Sequence, residues 1–299
     1  MPLQPAAARN LASTTKTAPI WEGITPRWLL LLLPWEQVEA GKYRVNRVED
    51  PAKVSAEHKL AASLPETFSD YYDDAEMIDL TTVETTVHSY TRVNDLYSSP
   101  FNQLQEQLRL AIQGIKERKE DTLVNSPTFG LLKAASPKMR VSANSGPPTP
   151  DDMDNLLALV WKMPAFFLAH PRAIAAFGHQ CNALGITVET VEMFGVPFMA
   201  WRGVPIVPSD KLPIDTGKTK ARKAASGDTS SILLMRVGEE HQGVVGLHQA
   251  GVGDENFQSL VVRYMGMDQQ GVSSYLVTCY FSAAVLAADA LGVLEGVAV

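Results

Sequence analysis

The longest helical pattern in the chain is Phe101–Lys119, where apolar residues recur every three or four positions. This face is formed by Phe101, Leu104, Leu108, Ile112 and Ile115. Ser99 is a good N-cap, Pro100 suits the first helical position, and Lys116–Asp121 is a charged end. The pattern therefore predicts one amphipathic helix with a charged end.

Two more helices are predicted after Asn144–Pro150, a stretch rich in turn residues that marks the strongest boundary in the chain. Thr149 and Asp152 have the spacing of a capping box, and the apolar residues that follow share one helical face. The next helix begins at Pro171 and ends at Gly185.

The clearest extended segments are Lys42–Val48 and Met77–Val93, and the second is rich in Thr and Val. Its apolar side chains are few, since Val83, Val87 and Val93 stand among polar neighbours. A strand with so thin an apolar face is a poor core strand. We therefore expect a two-stranded arm that projects from the subunit and packs on another copy.

Gly195–Pro213 predicts a hairpin, because the apolar runs Val196–Ala200 and Val204–Val207 are joined by a short break that contains glycine. Pro197 and Pro205 lack the amide hydrogen that a central strand needs. Both runs are therefore expected at a sheet edge, a bulge or the start of a strand.

Further strands are predicted in the C-terminal third, and the chain also ends in a strand-like segment rather than a disordered tail. These strands are Ser231–Val237, Gly243–Leu247, Leu260–Met265 and Ser274–Phe281. Helices and strands together predict an α+β fold.

The leucine run Leu29–Leu33 is too short to span a bilayer, which needs about 20 apolar residues. It predicts a short buried helix over residues 25–33, with Thr25 as N-cap and Pro26 at the first position. No secretory signal is visible in the first residues, and no transmembrane segment is expected.

The formal net charge of −7 disfavours nucleic acid as the main partner, because phosphate neutralisation requires Lys and Arg. The two cysteines, Cys181 and Cys279, fit a reducing compartment. His179 and Cys181 form an H-x-C pair, which has too few ligands for a zinc site. We expect no metal and no cofactor.

Signatures of catalysis are weak. Lys218 follows Gly217, but a P-loop needs a glycine five residues before that pair, and position 212 is Leu. Glu239–His248 holds acid–base side chains, and a Cys279–His248 pair stays open as a nucleophile arrangement. An unrecognised enzyme site in this region is one alternative function.

Four separated blocks, in order, resemble the encapsulins, and specifically the family 2A shell proteins. They read ITPRWLLLLLPWEQVEAGKYRVNRV (24–48), WRGVPIVPSDKLP (201–213), ILLMRVGEEHQGVVGL (232–247) and YLVTCYFSAAVLAADALGVLEGV (275–297). The resemblance covers the chain from about Ile24 to Val299. It implies the HK97-type capsid fold that tailed-phage major capsid proteins share.

The resemblance also implies a division of the chain. We expect an N-terminal arm (1–40), an E-loop with the adjoining P-domain strand (41–98), the P-domain with its spine helix (99–150), an A-domain (151–262) and C-terminal P-domain strands (263–299). The function it implies is structural rather than enzymatic. About sixty copies would form an icosahedral T=1 shell in the bacterial cytoplasm and enclose a cargo enzyme, in this group a cysteine desulfurase of sulfur metabolism or storage.

The basic segment Lys211–Lys223 is the candidate element for a pore or for the shell surface, where it would filter anions. Its site residues are Lys218, Lys220, Arg222 and Lys223. A phage-type major capsid protein that packages DNA shares the implied fold and is a second alternative function.

Overall fold

A computed structural model describes residues 21–39, 41–46, 75–90, 103–144, 146–216, 227–249 and 260–299. The helices are α1 (Trp28–Leu32), α2 (Gln103–Asn125), α3 (Leu131–Ala134), α4 (Pro150–Leu159) and α5 (Pro171–Ala183), with 3-10 turns at Pro137–Met139 and Ala288–Ala290. The predicted Ser99 cap and most of the predicted arm and E-loop lie outside the described residues.

The first strands are β1 (Trp35–Val38), β2 (Lys42–Val45), β3 (Glu76–Asp79), β4 (Thr81–Tyr90), β5 (Arg140–Ser142), β6 (Phe166–Ala169) and β7 (Glu189–Met193). The later strands are β8 (Val196–Trp201), β9 (Val204–Pro208), β10 (Thr229–Met235), β11 (Val244–Gln249), β12 (Leu260–Met267), β13 (Val272–Val285) and β14 (Leu291–Ala298). The predicted C-terminal strands are confirmed, and β13 continues through the small residues that follow Phe281.

A seven-stranded sheet with the order β5-β14-β10-β6-β9-β8-β7 forms the middle of the molecule. Its side chains alternate between two apolar layers. In β6, Phe166 and Leu168 face one core, whereas Phe167 and Ala169 face the other. Helices α4 and α5 pack on the second layer, while α1, α2 and the five-stranded sheet contribute to the first.

The five-stranded sheet is built around β13. Phe281 is paired with both Thr81 of β4 and His248 of β11, so these neighbours lie on opposite edges of β13. Strand β12 continues along the β11 edge, and β1 joins β11 in parallel. Strands β2 and β3 form a separate two-stranded ribbon.

The sequence-based expectation for β4 is wrong in part. Strand β4 does not project as an arm, because all of its 10 residues pair with β13. Its thin apolar face is sufficient because α2 covers it, and half-buried Val83 and Val87 pack against the core there. Within the described residues, the ribbon β2–β3 is the two-stranded element that remains of the expected kind.

Two helix predictions also need correction. The short helix begins at Trp28 after Arg27, which has a positive φ of 52° and no side-chain cap, and Thr25 instead hydrogen-bonds to another helix. Helix α2 continues to Asn125 rather than ending near Lys119. The charged run Lys116–Asp121 therefore lies within the helix, and most of it is buried or half-buried, as described below.

The local predictions for α4, α5 and the β8–β9 hairpin are confirmed. Thr149 and Asp152 form a reciprocal capping box at α4. The hairpin turn uses Arg202 (φ 50°) and Gly203 (φ 80°). Strand β9 is an interior strand, and Pro205 is accommodated as its second residue.

Sheet membership crosses one of the predicted divisions. Strand β14 belongs to the seven-stranded sheet that holds β6–β10, and the expected boundary at residue 262 falls within β12. The division into arm, E-loop, P-domain and A-domain stays a prediction.

Candidate functional site

The side chains of the alternative enzyme site are not assembled into a catalytic group. Glu239 and His241 are exposed in the turn between β10 and β11, while His248 Nδ1 lies 3.1 Å from the backbone oxygen of Gln249. Cys279 is buried, and burial raises the pKa of its thiol, which keeps it protonated and unreactive. These residues therefore do not form a nucleophile–base pair.

Metal sites and membrane-spanning helices were also sought in the part of the chain that the structure describes. Within it, no group of three or more His, Cys, Asp or Glu side chains is placed to hold a metal ion. Among the same residues, no helix has the length and apolar character needed to cross a membrane. A depression of about 490 Å³ between α5 and β8 is lined by uncharged groups that include Asn182, Thr187 and Met199.

The predicted basic site residues Lys218, Lys220, Arg222 and Lys223 lie outside the described residues. Lys211, which opens that segment in the sequence, has a different role. Its Nζ is 2.9 Å from Glu117 Oε2 and 2.8 Å from Asp210 Oδ1, and its side chain is largely buried. Lys211 is therefore a structural ion-pair partner rather than a free surface charge.

The segment Trp21–Leu33, here called the strap, is fastened to α2 by Glu117. The Glu117 carboxylate accepts hydrogen bonds from the Thr25 backbone N–H at 2.8 Å, from Thr25 Oγ1 at 2.8 Å and from Arg27 Nη1 at 3.2 Å. Burial acts to raise the pKa of Glu117, but the hydrogen bonds from Thr25 and Lys211 outweigh it, and the pKa lies below its usual range.

Glu120, one turn further along α2, holds the strap at a second point. Its Oε1 accepts a hydrogen bond from the Leu29 backbone N–H at 3.0 Å and thus caps the N-terminal end of α1. The side chain is only 2% exposed. Burial, opposed in part by the Leu29 hydrogen bond, raises the pKa of Glu120 to about 7.

Lys119 lies between these carboxylates in sequence but points to a different layer. Its Nζ is 3.7 Å from the centroid of the Trp35 ring and 5.4 Å from that of Phe281. Burial lowers the pKa of this ammonium group, and the ring faces partly replace its lost hydration. Lys119 therefore joins the end of α2 to β1 and to β13.

The sequence contains a signal for this burial. Lys119 stands four residues after Ile115 and four before Leu123, so it occupies a position in the apolar stripe of α2. A charged residue that continues such a stripe is a candidate for a buried, paired group.

The strap also contacts the β7–β8 hairpin. The Trp28 ring stacks on Phe194, with centroids 6.0 Å apart, and meets Phe198 edge-on at 5.1 Å. Phe194 has a positive φ of 53°, followed by Gly195 at 73°, so it lies at the tight turn of this hairpin. One aromatic group thus joins the strap to the outermost strand pair of the seven-stranded sheet.

Strand β12 leaves apolar side chains uncovered. Tyr264, Met265 and Met267 are 57%, 63% and 61% exposed. Arg263 and Tyr264 are consecutive and point to opposite faces, yet both are exposed. Within the described ranges, β12 pairs only with β13, so its other edge carries no strand there.

Other large apolar side chains are exposed at turns and helix ends. They are Trp161, Met163, Leu184 and Phe194. Single exposed apolar side chains of this kind are common on protein surfaces, whereas those of β12 follow one another along a strand.

Comparison with known proteins gives a family. Residues 38–299 match the model of the SrpI-like type 2A encapsulin shell proteins. The type 2A encapsulin shell protein SrpI of Synechococcus elongatus is 50% identical over 297 residues, which is 99% of this chain and 94% of that relative. The type 2A encapsulin shell protein of Mycobacterium leprae is also 50% identical over 297 residues, 98% of this chain and 93% of that relative.

Solved structures agree. The chain in the cryo-EM structure of the holo-SrpI encapsulin complex from S. elongatus has a TM-score of 0.83 and 48% identity, with 100% of this chain and 97% of that chain covered. The capsid of an empty GTA particle has a TM-score of 0.65 at 14% identity, covering 99% of this chain and 100% of that chain, and so supports the fold alone. The chain belongs to the SrpI-like family of type 2A encapsulin shell proteins and has the HK97-type capsid fold.

Proposed function

We propose that copies of this chain assemble into a closed icosahedral shell, about sixty in number if the shell is of the smallest kind. The observation that carries the proposal is β12, a long edge strand whose apolar side chains are exposed and whose outer edge has no partner among the described residues. Soluble monomers normally protect such an edge, because it is a template for pairing with another chain. A second copy of the chain provides that protection in a shell.

Negative-stain microscopy and mass photometry of the purified full chain test this proposal. We expect uniform closed particles whose mass corresponds to about sixty subunits. A compact monomer or small oligomer at every protein concentration would contradict shell formation. The ratio of absorbance at 260 and 280 nm tests the alternative of a DNA-packaging capsid, because a shell without nucleic acid has the ratio of protein alone.

The content of the shell is a cargo enzyme in this proposal. The relative of 48% identity was solved as a holo complex, which supports a second component in that particle. By family resemblance the cargo is a cysteine desulfurase, and the context is sulfur metabolism or storage. Mass spectrometry of intact particles isolated from the native host tests this, and co-purification of a different enzyme in stoichiometric amount would replace the cargo assignment.

The basic segment that contains Lys218, Lys220 and Arg222 is proposed to line a pore and to favour the entry of small anions. The triple substitution to Gln should slow the entry of an anionic quencher into shells loaded with a fluorescent protein. Lys138→Gln, at an exposed lysine next to β5, is the matched control. Equal quenching rates in the triple variant, the control and the wild type would remove the pore assignment.

A further inference from the structure

The strap is attached to α2 by two carboxylates that differ in their surroundings. Glu117 faces two cations, Arg27 at 3.2 Å and Lys211 at 2.9 Å. Its negative charge is therefore compensated where it is buried. This carboxylate holds the strap best when it is ionised.

The charge of Glu120 is compensated less well than that of Glu117. Its described hydrogen bond comes from the Leu29 backbone N–H, a neutral donor. Lys211 favours the ionised form of Glu120, whereas the charges of Glu117 and Asp210 both oppose it. The nearby Lys119 ammonium group is turned toward Trp35 and Phe281 instead. An ionised Glu120 is therefore a poorly solvated charge next to two other carboxylates.

The strap also contributes side chains to the core of the molecule. Leu29 and Leu33 are buried in the core that lies between the two sheets. The strap is the first described segment of the chain. The hydrogen bonds that it makes with Glu117 and Glu120 place it on α2.

We propose that Glu120, buried beneath the strap and bonded to the Leu29 N–H, is a pH-dependent latch: the neutral carboxyl group keeps Thr25–Leu33 seated on α2, and its ionisation favours release of the strap. The cap on α1 works in the neutral form, because a carboxyl oxygen still accepts the Leu29 N–H. Release of the strap returns the carboxylate to water. This inference concerns the chain itself and does not depend on the identity of the cargo or on the pore assignment.

The sign follows from proton linkage. The pKa of Glu120 is about 7 when the strap is seated and near its ordinary 4.5 when the side chain is in water. The seated state thus binds more protons between these two pH values, so seating weakens as the pH rises through this window. From pH 5.5 to pH 8.0, the opening constant of the strap should increase roughly 25-fold.

Hydrogen exchange of the full-length assembled protein tests the latch. Exchange of the peptide that contains Thr25–Leu33 is measured at pH 5.5, 6.5, 7.25 and 8.0, corrected for the intrinsic pH dependence of exchange. The buried strand β10 is the internal reference. We expect the protection of the strap, relative to β10, to fall about 25-fold between the extreme pH values.

Glu120→Gln is the decisive variant, because the amide oxygen still accepts the Leu29 N–H but carries no titratable proton. Its strap protection should be independent of pH over this range. Glu117→Gln is the comparison variant on the same helix. Its strap should open more at every pH but remain pH-dependent, with the titration moved to lower pH because the Glu117 charge that opposes ionisation of Glu120 is gone.

Strap protection in the wild type that does not change from pH 5.5 to 8.0 overturns the latch, even where a variant fails to fold. A pH dependence that is the same in wild type and Glu120→Gln also overturns it. Light scattering is recorded in parallel. A protein that never forms particles contradicts the proposed shell without affecting the exchange result.

Discussion

The two main sheets of this protein bury their side chains to different extents. In the seven-stranded sheet, the central strands β6 and β10 have apolar layers on both faces. In the five-stranded sheet, β11 and most of β13 are buried, but β12 exposes Tyr264, Met265 and Met267. The first sheet is completed by the chain's own helices. The second leaves apolar surface on β12, which is the contact between copies in the proposed shell.

A substitution at the exposed strand gives the largest expected effect. Tyr264→Asp together with Met265→Asp places two charges where an apolar contact between copies is proposed, and we expect complete loss of particles. The circular dichroism spectrum and thermal unfolding of the subunit should remain close to wild type, because exposed sites contribute within about 0.5 kcal/mol to folding. Native mass spectrometry measures the assembly state.

Glu240→Gln, in an exposed turn between the two sheets, is the control for this double substitution. It should assemble as the wild type does. Full-sized particles from the Tyr264→Asp/Met265→Asp protein would show that β12 is not a contact surface, and the comparison between the sheets would fail.

The seven-stranded sheet should respond in the opposite way. Phe167 of β6 is fully buried against the layer formed by α4 and α5. Phe167→Ala removes most of a buried ring and should lower the free energy of unfolding by about 3–5 kcal/mol. Urea unfolding of dissociated subunits measures this loss, and a change below about 1 kcal/mol would mean that the layer repacks.

Glu117 and Glu120 of α2 should make the stability of the protein depend on pH in opposite directions. The low pKa of Glu117 means that its stabilising contribution is present above its ordinary value of 4.5 and is lost as the pH falls below it. The raised pKa of Glu120 has the opposite sign. Its contribution is complete below 4.5 and lost as the pH rises to about 7, by about 3 kcal/mol.

Unfolding free energies of the wild type, Glu117→Gln and Glu120→Gln across pH 3.5–8 measure both effects. Glu117→Gln should reduce the loss of stability in acid, and Glu120→Gln should reduce the loss on the way to neutral pH. Parallel curves for all three proteins would show that neither carboxylate is linked to folding.

The smallest effect is expected at the start of α4. Thr149→Ala removes one half of the capping box with Asp152 and should cost about 1 kcal/mol of folding free energy, with no effect on particle formation. Thermal unfolding and microscopy of the same sample measure the two outcomes. Thr149→Ser, which keeps the hydroxyl group, should have close to the wild-type folding free energy.

Local signals allowed good predictions from the sequence. The capping box at Thr149, the end of α5 before Gly185 and the Arg202–Gly203 turn each depend on residues within a few positions of one another. The terminal strand β14 was also predicted correctly, since its apolar composition suits a buried strand.

The errors occurred where the partner is distant in sequence. The charged run in α2 looked like the end of the helix because its partners are far away in the sequence. Glu117 bonds to Thr25, 92 residues away, and Glu120 bonds to Leu29, 91 residues away. Strand β4 looked like an arm because β13, the strand that pairs with all of it, lies near the other end of the chain. The resemblance correctly predicted the family and the fold, but it did not identify the strap contacts, which depend on individual side chains.

The aromatic contact between Trp28 and Phe194 has a mechanical consequence. Trp28 belongs to the amino-terminal segment, whereas Phe194 is at the tip of the β7–β8 hairpin, and their rings are stacked with centroids 6.0 Å apart. If Trp28 moves away, Phe194 loses its stacking partner. A displacement of the strap would thus change the packing at the tip of the β7–β8 hairpin, at one end of the seven-stranded sheet.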